Sequence, residues 1–300
     1  IGPHALYRDG ATLRILEELG VTVDAAEVGV NGGTFAVQDG RLHALPASLW
    51  TLLTSSLLDW RGKLEAGRFL AGLAKMDPDP LEKVPLGTWL QREFRSPSAR
   101  RLVEVTIRTA AYASDASLSA GAGLRQLQVG FSGARYLSGG WQTIVEGLRV
   151  RAEELGVTFV SGARVSEIEL ADDGATVQAV PLADGRRVQV DAAILAVPPR
   201  EASTLVQDGE HPTLSAWAAT AVPVRAASLD LGLRRLPHPD RWFALGFDRP
   251  LYLSVHSKWA RLAPEGGALI HVLKYHGADG RGADDQHELE SLLDLMQPGW

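Results

Sequence analysis

Three hundred residues with a hydrophobic fraction of 45% suffice for two domains of ordinary size and exclude a disordered chain. The 30 Lys and Arg stand against 36 Asp and Glu, a net charge of −6 with the basic residues scattered among acids, so nucleic acid is not expected as a partner. Zero cysteines exclude disulfides, thiol catalysis and thiolate metal sites, and fit a reducing, cytoplasmic setting. No run of about 18 apolar residues occurs, because Pro223 and Arg225 interrupt the most apolar part of the C-terminal half, and no transmembrane segment is predicted. No signal peptide is visible. The preference for Arg, Ala, Gly and Leu points to a GC-rich bacterial source.

Asp9-Gly10 leads into a helix carrying Leu13, Leu16 and Leu19, ended by Gly20 before Val21 and Val23. Thr34 to Val37 and Arg41 to Leu45 form a predicted hairpin, since Asp39-Gly40 supplies the positive φ angles of a type I′ turn. Helices are predicted over 47–58, 60–74, 85–94, 96–113 and 118–129, separated by Pro, Asp and Ser breakers, with Ser96 as an N-cap and Pro97 in the first turn. From 131 a βα pattern resumes. Gly139-Gly140 opens a helix with Ile144, Leu148 and Leu155 at helical spacing, Gly156 closes it, and the β-branched run Val157 to Val160 reads as a strand. A hairpin follows. Asp191 to Val197 is a small-apolar run of the kind covered on both faces, stopped by Pro198-Pro199. The remainder gives a short helix near Leu214, strands around 222–233, 242–247, 251–255 and 268–275, and a closing helix over 284–296.

The order of these pieces resembles the central part of the FAD-dependent amine oxidase superfamily, which includes phytoene desaturase-like and protoporphyrinogen oxidase-like flavoproteins. Five segments carry the likeness. They are Gly2-Pro3-His4, the hairpin Gly40-Arg41-Leu42-His43-Ala44-Leu45-Pro46, Tyr112-Ala113-Ser114-Asp115 with Leu118-Ser119, Arg164-Val165-Ser166-Glu167-Ile168, and Asp191 to Pro199. The resemblance implies an α/β fold of mixed α+β character, a partial FAD-binding Rossmann-like domain plus a substrate domain of mixed β-sheet and a helical block. The remnant of the FAD-binding domain is expected at 1–24 and 131–207, and the substrate domain at 25–130 and 208–300.

Such a flavoprotein needs a glycine-rich β-α turn for the pyrophosphate. No G-x-G-x-x-G occurs; Gly121-Ala122-Gly123 lacks the third glycine. The expectation is therefore a central fragment of a larger flavoenzyme, without the N-terminal glycine-rich unit or the C-terminal flavin segment, binding FAD weakly or not at all by itself. An exposed sheet edge would favour self-association.

By resemblance, Gly2, Pro3 and His4 lie beside the flavin ring, Val165 meets the adenine through its backbone, and Ala196, Val197 and Pro198 border the adenosine half. His4 is the single catalytic candidate, against the reading that a histidine beside Gly-Pro is structural. Tyr7, Arg8 and Tyr112 are further cavity candidates, and Trp89, Trp141, Trp217, Trp242 and Trp259 are read as core or cavity wall. Amine-oxidising relatives carry a lysine where Val222 to Leu233 holds only Arg225, which favours a carbon–carbon or ring dehydrogenation of a small, largely apolar substrate. The opposing reading is a non-catalytic binding or scaffold module derived from such a flavoprotein. Gly130 to Ala134 is no nucleophile elbow, because a predicted helix precedes Ser132 and a strand follows. His271 and His276 fall on opposite faces of a strand, and no metal site is expected.

Overall fold

The structure is a computed structural model that describes residues 3–29, 32–206, 211–277, 280 and 284–300, so Gly2 lies outside the described residues. Two compact units divide the chain, the first made of Ile1–Glu154 with Val224–Trp300 and the second of Leu155–Pro223.

The first unit opens with β1 (Leu6–Tyr7) and α1 (Ala11–Glu18). Leu16 is the buried side of this helix, which ends as read from sequence. Gly20 takes a φ of 72°, Val21 N donates to Leu16 O and Gly20 N to Glu17 O, the paired bonds of a Schellman motif. After β2 (Ala25–Glu27), strands β3 (Thr34–Gln38) and β4 (Arg41–Ala44) form the expected hairpin. Asp39 and Gly40 between them have φ values of 49° and 68°, both positive as a type I′ turn demands.

The helical block consists of α2 (Leu49–Thr54), α3 (Trp60–Gly72), α4 (Leu86–Glu93), α5 (Pro97–Ala111) and α6 (Ala120–Phe131). Ser96 caps α5 by accepting from Ala99 N at 3.4 Å, with Pro97 in the first turn. Helix α2 is shorter than the predicted 47–58. Ser55 leaves helical geometry, its Oγ accepts from Leu57 N, and Leu57 and Leu58 drop into the core instead. Between α3, α4 and α5 the rings of Phe69, Trp89 and Phe94 meet edge to face or tilted, with centroids 5.4 to 6.0 Å apart. β5 (Ala134–Leu137) then pairs antiparallel with β1 and β2 in a three-stranded sheet of order β1-β5-β2. Helix α7 (Gln142–Glu154) packs Ile144 against Leu6, Leu16, Val21 and Leu137.

The second unit holds the antiparallel meander β6 (Glu169–Leu170), β7 (Val177–Pro181) and β8 (Arg187–Gln189), followed by α8 (Pro199–Leu205) and α9 (Pro212–Thr220). Two expected strands are corrected here. Among the described residues neither Val157 to Val160 nor Asp191 to Val197 enters a ladder, and an apolar run becomes a strand only where another strand receives its backbone hydrogen bonds. Their apolar side chains stand in solvent, with Val160 56% and Ile194 97% exposed. Pro198-Pro199 stops the run but also starts α8, with Pro199 in its first turn.

The chain returns to the first unit with β9 (Arg225–Leu233), β10 (Phe243–Gly246), β11 (Leu251–Val255), β12 (Ala268–His276) and α10 (Asp285–Met296). These strands join the early hairpin in a six-stranded mixed sheet of order β4-β3-β10-β11-β12-β9, parallel only between β3 and β10. Period-2 alternation gives the sheet two apolar faces. Leu253, Val255, Ile270 and Val272 pack with Leu289, Leu293 and Met296 of α10. Leu245, Tyr252, Leu273 and Tyr275 face the opposite way and pack with Leu52, Ala66, Leu102 and Val105 of the helical block.

Candidate functional site

The helical-block face of the sheet carries a polar row. Asp230 of β9, His271 of β12 and Ser254 of β11 are register partners, so the three side chains stand abreast across the strands. His271 Nδ1 lies 2.7 Å from Asp230 Oδ1. The next residue on this side of the sheet, His256, begins a 3₁₀ turn just past β11 and is 4% exposed. Its ring meets the His271 ring edge on, with centroids 4.6 Å apart at 66°, and stacks on Tyr136 of β5 at 3.6 Å and 17°. Its Nε2 is buried without a hydrogen-bond partner among the described residues.

All five tyrosines of the chain interact in this region. Tyr136 shares a hydrogen bond with Tyr252, and Tyr7, Tyr112 and Tyr275 sense the same neighbours electrostatically. Tyr112 sits at the C-cap of α5 in left-handed geometry, φ 55° and ψ 22°, and hydrogen-bonds the backbone of Ala5. The Arg108 guanidinium lies over the Tyr275 ring at 5.8 Å, and its Nη2 donates to Gly246 O at 2.6 Å and Arg249 O at 3.2 Å, tying α5 to the sheet.

Burial dictates the charge state of the cluster. Desolvation raises the pKa of every phenol, that of Tyr136 to about 12, so the hydroxyls stay neutral donors at physiological pH. Desolvation, then the neighbouring His271 and His4, lowers His256 to about 3, which keeps its imidazole neutral too. The result is a wall of neutral aromatic groups with polar tips, edged by the Asp230–His271 pair. A separate cavity of about 220 Å³ opens beside α4 and α5. Its lining mixes Arg100 and Arg108 with Glu104 and Asp115 and so matches no single ligand charge.

The sequence candidates fall in both units. Pro3 is buried and His4 exposed in the first, with the His4 ring 6.1 Å from Tyr112 and 5.8 Å from Trp141. Thus Tyr7, Tyr112 and His4 do gather with the cluster that includes Tyr136, Tyr252 and Tyr275, while Arg8 pairs with Asp9 and Glu27 at the surface. Trp89, Trp242 and Trp259 are core, whereas Trp217 is 57% exposed.

In the second unit Val165 forms an isolated antiparallel bridge with Leu182. The flanking bonds, Ala183 N to Arg164 O and Ser166 N to Pro181 O, mark a non-hydrogen-bonded pair, so the N–H and C=O of Val165 itself face away from Leu182. Ala196, Val197 and Pro198 are exposed. The sequence offers no glycine-rich turn for a pyrophosphate. Gly121 and Gly123 lie inside α6, where they serve packing: a Cβ on Gly121 would stand 2.5 Å from Pro78 O, and one on Gly123 2.9 Å from Ile107.

Ser132 follows α6 and donates to Val129 O, precluding a nucleophile elbow. His276 turns to Asp285, away from His271, and among the described residues no group of three His, Asp or Glu could hold a metal ion. Among them, too, no helix is long and apolar enough to cross a membrane.

Sequence reasoning missed Tyr136, Tyr252, Tyr275, His256, His271 and Asp230 as a group. Period-2 alternation places Tyr252 and Ser254 on one face, as it does His271 and Tyr275, but the pairing of β9, β12 and β11 and the stacking of Tyr136 on His256 are set by the fold.

The model of the family described as flavin containing amine oxidoreductase matches residues 4–228. A search of curated proteins finds no significant match. Among solved structures, an oxidoreductase from Methanosarcina mazei is similar with a TM-score of 0.72 at 15% identity, covering 99% of this chain and 72% of that one. Putrescine oxidase bound to putrescine has a TM-score of 0.71 at 14% identity, covering 98% and 70%. Reduced UDP-galactopyranose mutase has a TM-score of 0.63 at 12% identity, covering 98% and 68%. At these identities the structures speak for the fold, and the family match, spanning most of the chain, identifies it: the protein belongs to the flavin containing amine oxidoreductase family.

Proposed function

We propose that this chain supplies the substrate-facing part of an FAD-dependent oxidoreductase acting on a small, largely apolar substrate. The carrying observation is the cluster of five neutral tyrosines and neutral His256 that Tyr252 and Tyr275 of the six-stranded sheet form with Tyr7, Tyr112 and Tyr136. A bound flavin would supply the hydride acceptor. The chain's own work is to bind, orient and keep water out. Phenol rings offer apolar contact with hydroxyl tips for orientation, and His256 Nε2 is an unpartnered neutral nitrogen for a polar group on the substrate.

The remnant of the dinucleotide domain is assigned to 1–24 and 131–207, with 25–130 and 208–300 as the substrate domain. Val165 and the 196–198 segment are assigned to the adenosine half and Gly2, Pro3 and His4 to the ring. The open peptide groups of Val165 support the first assignment.

A carbon–carbon or ring dehydrogenation is favoured over amine oxidation. On the tyrosine face β9 presents Ala226, Ser228, Asp230 and Gly232, without a lysine, and the carboxylate of Asp230 is engaged by His271. The test is anaerobic mixing of the protein, expressed with whatever coding sequence flanks this chain, with apolar hydride donors and amines in parallel. Flavin bands that bleach with the former support the reading. A well-folded, colourless product overturns it in favour of a binding or scaffold module.

A further inference from the structure

Helices α2 and α3 bury one face and leave the other conspicuously apolar. Leu52, Gly62, Ala66 and Phe69 point inward. Outward stand Leu49 (72% exposed), Trp50 (74%) and Leu53 (54%) on α2, and Trp60 (70%) and Leu64 (47%) on α3. The two helices are tied together beneath the patch, with Lys63 Nζ donating to Leu53 O at 2.7 Å. Isolated exposed leucines are ordinary on any surface, but two nearly bare tryptophans with three leucines on adjacent helices form a patch that water alone does not explain.

The surrounding charge narrows what covers it. Arg61 and Arg68 share the exposed face of α3 with Trp60 and Leu64 at helical spacing, and the Arg61 guanidinium lies 5.3 Å from the Trp60 ring. Residues 47–75 contain four cations, Arg61, Lys63, Arg68 and Lys75, and only two acids, in a chain whose net charge is −6. Both acids are engaged on the far side at the start of α5: Asp59 accepts from Ser96 and Ser98 Oγ, and Glu65 accepts from Ser96 N. A second copy docked face to face about a two-fold axis would bring two basic patches of the same sign together, so the charge disfavours self-pairing. Exposed tryptophans and leucines rimmed by Arg and Lys match the interface of an anionic bilayer, where indole rings sit at headgroup depth and cations meet acidic headgroups.

We propose that the outer face of α2 and α3 docks this protein onto an anionic lipid surface, lying in the interface without spanning it. The docking residues are Trp50, Trp60, Leu49, Leu53 and Leu64, steered by Arg61 and Arg68.

Vesicle co-sedimentation of the 300-residue chain tests this. With phosphatidylcholine vesicles containing about 30% phosphatidylserine, the apparent affinity is expected to exceed that for pure phosphatidylcholine about tenfold or more, and to fall as salt rises. The double substitution Trp50→Ser with Trp60→Ser should lower it about tenfold, and Arg61→Glu with Arg68→Glu should abolish the preference for phosphatidylserine. All four positions are exposed, and the wild-type comparison of the two vesicle types stands without any variant. No pelleting of the wild type with acidic vesicles, or equal pelleting of wild type and both variants, overturns the proposal. So does a dimer in light scattering that the tryptophan substitutions disperse while vesicles bind nothing, since the face would then be a contact between copies.

Discussion

The imidazole of His256 lies flat on the phenol of Tyr136, centroids 3.6 Å apart and planes within 17° of parallel. Burial of the stacked ring, then the neighbouring His271 and His4, disfavours the charged imidazole. Its folded-state pKa is depressed from 6.5 to about 3. The unfolded chain thus takes up a proton that the native state refuses. The penalty is absent above the unfolded value, grows as pH falls from 6.5 towards about 3, and is constant below. His256→Phe keeps the stack and removes the titration. Across this window the wild type should lose about 1.4 kcal/mol per pH unit more stability than the variant in urea unfolding. Parallel pH profiles of the two proteins would refute the assignment.

Arg108 is a cation 4% exposed, held by the carbonyls of Gly246 and Arg249 and by the ring of Tyr275. Arg108→Met fills similar volume but strips two carbonyls of a charged donor. A loss of about 2–4 kcal/mol is expected, read as a lower urea midpoint at unchanged slope.

Glycine at position 121 is a packing requirement. Its Cα faces the backbone of the 78–82 segment, where an added Cβ would meet Pro78 O at 2.5 Å and Glu82 N at 2.8 Å. Gly121→Ala therefore separates α6 from that segment in spite of the better helix propensity of alanine. A destabilisation of about 1–3 kcal/mol is expected, whereas a gain in thermal midpoint would show that the segment simply yields.

Ile194 stands 97% exposed in a run that joins no ladder. Ile194→Lys removes no packing within the second unit, so folding free energy should stay within about 0.5 kcal/mol of wild type. Light scattering at rising concentration should show less association in the variant, as expected for an unpaired apolar segment. Identical association in both proteins would locate the sticky surface elsewhere.

Local signals in the sequence were reliable where they rested on backbone chemistry. The Asp39-Gly40 turn, the Ser96-Pro97 helix start and the Gly20 and Gly156 helix ends all depend on residues a few positions apart. The 191–197 run misled for a physical reason. Its composition suits a strand buried on both faces, but composition cannot supply the neighbour that makes a strand. The candidate site was legible only at its motif-bearing edge, His4, Tyr7 and Tyr112. Tyr136, Tyr252, Tyr275 and His256 carry no local signature, since each is an ordinary aromatic in its own segment. What unites them is the β11–β12 register together with the stacking of Tyr136, from the other sheet of the first unit, on His256.

The five phenols come from β1, the end of α5, β5, β11 and β12, so they become neighbours only when both ends of the chain and its middle have met. Contacts of such sequence separation form late, after the cost of closing long loops has been met. The tyrosine cluster is thus expected to assemble only as the first unit closes, after the local helices and hairpins have formed.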